Sequence, residues 1–263
     1  MENNKLIEQY AHTYNVKEFI QSDPIQFPHR YSEKKDIEIS AFISAWIAYG
    51  NRKAILKTLE ILHDEYKTSP YEFIKNREFN KYKDNNKSLY RFYKYSDYFN
   101  LCEKLYQIYV IEGFESLEDK IFSEINKNFS EKNGTFSEKN NYFSEKKTYN
   151  LDIIQAIVDI FLDVEGIPIN TKSACKRLCM LCRWLVRNDG IVDLGLWDKC
   201  EPKDLIIPVD THVHRIALDL GITSRKQADM QTAIEITDYL KTIFPNDPSI
   251  GDFALFGFGV NNK

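Results

Sequence analysis

Residues 163–221 read DVEGIPINTKSACKRLCMLCRWLVRNDGIVDLGLWDKCEPKDLIIPVDTHVHRIALDLG. An apolar helix ends in the Gly166/Pro168 turn, and a basic amphipathic helix is expected over 172–187. A loop follows, and Pro208-Val209-Asp210-Thr211 opens a further helix over 211–220. Pro208 favours extended backbone before it. Asp210 directly precedes the helical run, which is the N-cap position, where a carboxylate accepts bonds from free backbone N–H groups. A carboxylate held that way stays ionised. A fixed anion is also what a reaction uses to stabilise a developing cation or to activate an amine or water. Capping and catalysis therefore ask for the same residue at Asp210.

The preceding helix carries Lys172, Lys176, Arg177, Arg183 and Arg187 with no acid between them. Leu178, Met180, Leu181, Trp184 and Leu185 interleave with them, so the helix is read as half buried with a cationic stripe. Amines crowded by other cations become better nucleophiles. Lys176 has Lys172, Arg177 and Arg183 as helical neighbours, and Lys172 sits one turn earlier at the turn-to-helix junction. The other reading of these side chains is contact with phosphate, or plain solvation.

Working outward, apolar residues recur at three- and four-residue spacing over 38–66, 98–126, 151–163 and 231–243, which predicts helices. Gly50-Asn51 interrupts the first of these, and GNRK at 50–53 makes Asn51 and Arg52 secondary candidates for substrate contact. Nothing alternates with period two for long, so a sheet is not expected. Trp46 and Trp184 are read as core residues. The tripeptide Phe-Ser-Glu starts at Phe122, Phe129, Phe136 and Phe143. It is too polar for a coiled-coil seam, and 129–148 is read as a low-complexity surface insertion.

At 43% apolar residues the chain can bury a substantial core. It has no run long enough to span a membrane as a helix. The N-terminus, MENNKLIEQYAHTYN, lacks a charged-then-apolar signal pattern, so a cytoplasmic monomer with reduced thiols is expected. Cys175, Cys179 and Cys182 fall at helical spacing and are read as packing residues rather than metal ligands. His212 and His214, two apart on a helix, diverge, and no metal is expected there. The net charge of −4 argues against a uniformly basic nucleic-acid surface but leaves room for a local one.

The pattern GIP…KSACKRLCMLCRWLVR…DLGLW…LIIPVDTHVHRIALDLG resembles an uncharacterised bacterial protein family. That family is related to helix-hairpin-helix DNA glycosylases, the superfamily of endonuclease III and the 8-oxoguanine glycosylases. SDPIQFPHRY near the start, AWIAYGNRK at 45–53 and DFALFGFGV at the end belong to the same resemblance. PVDTHV is similar to the strip in which the catalytic aspartate precedes a helix, and Lys176–Trp184 to the helix that carries the Schiff-base lysine in archaeal-type enzymes. The resemblance implies an all-α, helix-hairpin-helix glycosylase-like fold, with residues 1–263 as one domain in two helical lobes flanking a cleft. It implies Lys176 as nucleophile, with Lys172 as the alternative, and Asp210 as its carboxylate. It implies no cofactor, and a partner that is double-stranded DNA containing a damaged base, an oxidised one among the candidates. The implied activity is glycosylase with possible strand cleavage, and Lys172, Arg177, Arg183, Arg187, His212, Arg215, Asn51 and Arg52 are the implied DNA contacts. VEGIPINT carries only Gly166, fewer glycines than such hairpins usually have. Two alternatives stay open: a DNA-binding module of this fold without chemistry, and a helical interaction protein with no DNA partner.

Overall fold

The computed structural model describes residues 2–133 and 151–261. Most of them are helical, and the largest helices follow the apolar periodicity of the sequence. The centre is α3, Lys34–Ile47, in which every residue from Glu38 to Ile47 is buried. A helix that is apolar nearly all round belongs inside a protein. The acid within that run, Glu38, accepts from Tyr109 Oη, Leu117 N and Trp197 Nε1 at 2.7–3.0 Å. Burial pushes this carboxyl above the usual range despite the three donors, and those donors tie three distant segments to the central helix.

Chain reversal at Gly50-Asn51 leads into α4, Arg52–Glu65, with the Asn51 side chain accepting from Ala54 N as its cap. Pro70–Lys75 forms α5. A two-stranded hairpin follows, β1 (Ser88–Tyr90) and β2 (Tyr93–Lys94). The sequence gives no sign of it, because three and two residues are too few for alternation to register. Next come α6 (Tyr95–Tyr106), a π-turn over Gln107–Ile111, and α7 (Leu117–Asn133). Residues 129–133 of the expected insertion are therefore the end of a helix, and the remainder of that stretch lies outside the described residues.

Beyond it, α8 (Leu151–Ile160) packs on α7, and α9 (Lys176–Val186) packs on α3. The two are joined by a turn containing Gly166, whose φ is +85°. A Cβ there would meet the Tyr93 ring within 2.6 Å. That ring is fixed, buried and stacked on Trp46 at 4.2 Å. Gly166→Ala adds a strained backbone to a steric clash and is expected to cost about 2–4 kcal/mol. Urea denaturation of the variant checks this.

The last third holds α10 (Thr211–Asp219), α11 (Met230–Lys241) and α12 (Gly251–Asn261). The first helix, α1 (Glu2–Tyr14), lies along α12, with Tyr10 edge-on to Phe258 at 4.7 Å. Cys102, Cys175, Cys179 and Cys182 are buried in the apolar packing, as the helical spacing of the last three implies. No described helix is long and apolar enough to cross a membrane.

Candidate active site

Two helix N-termini converge on one cavity. Lys176 is the first residue of α9, and Asp210 is the N-cap of α10. The carboxylate divides its two oxygens between structure and site. Oδ1 accepts from His212 N at 2.9 Å and Val213 N at 2.8 Å, while Oδ2 faces Lys176 Nζ at 3.3 Å. Burial opposes ionisation of Asp210, but the Lys176 ammonium and the two backbone donors outweigh it and hold the carboxyl below its usual value. Both side chains are a little over one-third exposed, so the pair is reachable from outside.

The cavity has a volume of about 720 Å³. Residues 23–24, 42–55, 166–181 and 210–211 contribute its walls, among them Trp46, Tyr49, Pro168, Lys176, Arg177 and Asp210. It is large enough for a nucleobase and its sugar, within the usual size of ligand sites. One wall is aromatic. Trp46 is buried and donates from Nε1 to Glu165 O at 2.7 Å, while Tyr49 is half-buried.

Lys172 sits elsewhere. The expected helix over 172–187 begins only at Lys176, after Cys175 in a left-handed conformation. Lys172 N donates to Asn170 Oδ1 at 2.9 Å, its carbonyl accepts from Met230 N at 3.2 Å, and Ser173 bridges Asp229. These bonds hold Lys172 in a turn ahead of the helix. Lys172 is exposed and is not among the cavity-lining residues.

The cationic stripe is largely spent on structure. Arg183 is 3% exposed and bonds Asp193 and Asp252. Arg187 is 2% exposed and bonds Asp189, Asp193 and Asp247. Neither has a face to offer a phosphate, so the expectation that they grip DNA is corrected. The aspartates that neutralise them include two from the 247–252 region, too far along the chain to be read from the helix itself. Arg177 lines the cavity but donates to the carbonyls of Trp46 and Gly166 and to Tyr93 Oη. It clamps α9 to the Gly166 turn and to the C-terminal end of α3.

Of the remaining candidates, Arg52 is exposed, lines the cavity and approaches Asp23 at 3.9 Å. Arg215 is exposed. His212 is half-buried against Gly259 of α12, with Nδ1 3.4 Å from Arg215 Nη2. His214 turns the other way, to the Arg225 carbonyl at 2.7 Å. Asn51 is exposed, but its side-chain oxygen is committed to the α4 cap.

Sequence reasoning missed two acids beside Lys176. Asp23 lines the cavity, caps a short 3-10 turn through Ile25 N, and is raised above the usual carboxylate range by burial. Asp252, at the start of α12, is raised to about 6, chiefly by burial, with Arg183 and Lys176 opposing and Asp210 and Asp193 adding repulsion. SDPI and GDF carry no spacing relation to Lys176, so only the fold brings them together.

A family model described as a protein of unknown function, DUF2400, matches residues 23–261. The chain belongs to the DUF2400 family. The match spans every residue of the site, from Asp23 through Lys176 and Asp210 to Asp252. No curated protein and no solved structure matches this DUF2400 chain.

Proposed function

We propose that the protein is a helix-hairpin-helix-type DNA glycosylase that removes a damaged base through a Schiff base on Lys176. The observation that carries this reading is the 3.3 Å approach of Lys176 Nζ to Asp210 Oδ2 at the wall of a base-sized cavity. The resemblance of Lys176–Trp184 and of PVDTHV to the glycosylase strips supports it, as does the placement of Lys172 outside the cavity. A base inside a duplex is out of reach, so the nucleotide is flipped into the pocket at a cost of a few kcal/mol, least for a damaged base.

In the reaction the Lys176 ammonium passes a proton to Asp210, and the free amine attacks the sugar C1′. The glycosidic bond breaks with its electron pair on the base, which takes up the proton. The nitrogen on C1′ then gives its extra proton to the freed Asp210 carboxylate; its lone pair forms the iminium as the C1′–O4′ bond breaks, and O4′ keeps that electron pair and takes up the proton. Asp210 is a weak base at its lowered pKa, so its larger part is electrostatic: a fixed anion beside the cationic sugar in the transition state. The two positive helix ends meeting at the cavity suit the flanking phosphates.

Borohydride trapping tests the reading. Purified protein incubated with duplexes carrying 8-oxoguanine, uracil or an alkylated base is expected to form a covalent adduct with one of them. Lys176→Gln is expected to abolish that adduct and Lys172→Gln to keep it. Salt-sensitive duplex binding without any adduct would leave a DNA-binding module without chemistry. Absence of binding would leave a helical interaction protein.

A further inference from the structure

Phe92 and Ile169 are the most exposed large hydrophobic side chains among the described residues, at 80% and 79%. A single exposed apolar residue is ordinary. Here both stand at the rim of the same cavity. Phe92 lies at the tip of the β1–β2 hairpin, and its backbone N–H donates to the Tyr49 hydroxyl at 3.4 Å. Ile169 directly follows Ile167 and Pro168, which line the cavity as Tyr49 does. The two segments touch where the Tyr93 hydroxyl of β2 packs on Gly166.

The hairpin is also the basic part of an acidic protein. Residues 81–94 contain Lys81, Lys83, Lys87, Arg91 and Lys94 against one acid, Asp84, in a chain of net charge −4. Lys81 is paired with Glu65 at 2.9 Å, while Lys83, Lys87, Arg91 and Lys94 are exposed. Arg91 is held at φ +52°, with its guanidinium 5.4 Å from the Tyr49 ring centre and its side chain packed on Gly50. The tip thus presents a cation directly beside a bare aromatic ring, at the entrance to the site. Cations suit phosphates, and an apolar ring suits the gap between bases at a kinked or weakly stacked step.

We infer that the 88–94 hairpin is a duplex-probing element. Phe92 inserts at a poorly stacked base step, Arg91 and Lys94 hold the adjacent phosphates, and Ile169 supports the displaced nucleotide from the opposite rim. The inference rests on the proposed reading of the cavity as a site for a flipped base. The exposed ring has little to do with folding, so Phe92→Ala is a clean probe.

The experiment uses the full chain and two duplexes. One carries a tetrahydrofuran abasic analogue beside 2-aminopurine, and the other has the same sequence undamaged. Wild-type protein is expected to raise 2-aminopurine fluorescence on the abasic duplex as stacking is lost. Phe92→Ala is expected to abolish that rise and weaken abasic-duplex binding about tenfold, with undamaged-duplex binding changed less than about twofold. Arg91→Ala combined with Lys94→Ala is expected to weaken both duplexes alike and to lower the salt slope by about two. Lys176→Gln keeps the fluorescence rise.

If Phe92→Ala matches wild type on the abasic duplex while a Lys176 adduct still traps, the hairpin inference falls alone. A Phe92-dependent rise without any adduct leaves the hairpin standing and removes the chemistry. If wild type binds neither duplex, or Phe92 instead governs binding to phosphatidylserine vesicles, the nucleic-acid role of the hairpin is overturned.

Discussion

If Lys176 and Asp210 work as proposed, Asp210→Asn is expected to fold like wild type and to release base about 10²–10³-fold more slowly. Asparagine caps a helix as well as aspartate does, and its side-chain oxygen reproduces the bonds to His212 N and Val213 N. What disappears is the negative charge facing Lys176. The variant therefore separates the two jobs of the side chain, which Asp210→Ala confounds by also removing a cap worth about 1 kcal/mol. Duplex affinity is expected to move the opposite way to the rate, because removing an anion from the cavity lessens repulsion of phosphate. Single-turnover rates, a thermal melt and a binding titration on one preparation check all three. A rate loss matched by a lowered melting temperature would assign Asp210 to structure alone.

The second large effect is on stability. Asp193 has a fully buried side chain between Arg183 Nε at 3.3 Å and Arg187 Nη1 at 2.9 Å. Asp193→Ala leaves two guanidiniums under-neutralised inside the protein, at an expected cost of about 3–5 kcal/mol. That is a large share of the roughly 5–15 kcal/mol that holds a domain together. Asp193→Asn keeps an acceptor and is expected to recover part of the loss. Denaturant midpoints of the two variants rank them, and equal midpoints for alanine and wild type would refute the network's role.

Asp210 was legible in the sequence because its capping signal is local: a proline two residues before it and a helical run after it. The choice between Lys176 and Lys172 was harder, because both continue the same apolar-basic pattern. What separates them is the pairing of Lys172 and Ser173 with residues 229–230, a contact with no local trace. Arg183 and Arg187 were misread for a related reason. A basic stripe looks solvated until the aspartates opposite it are known, and Asp247 and Asp252 arrive from two turns and two helices later. The 88–94 hairpin escaped notice because its alternation is too short to score, although its charge was open to counting. Most of the helices were read correctly, because their faces repeat over several turns.

The contact between α12 and the rest of the protein has a consequence for how the chain is made. Arg183 meets Asp252, His212 meets Gly259, and α1 lies on α12 across more than two hundred residues. A chain still emerging from the ribosome has α9 in hand long before residues 247–259 follow. Until they arrive, Arg183 lacks its outer carboxylate, Arg187 lacks Asp247, and the apolar side of α1 has nothing to lie on. Synthesis therefore passes through an interval in which the packing beside the cavity is incomplete, the condition under which large domains engage chaperones. The same helix carries Asp252, whose carboxyl feels the charge of Lys176, so the site gains that acid only when α12 docks.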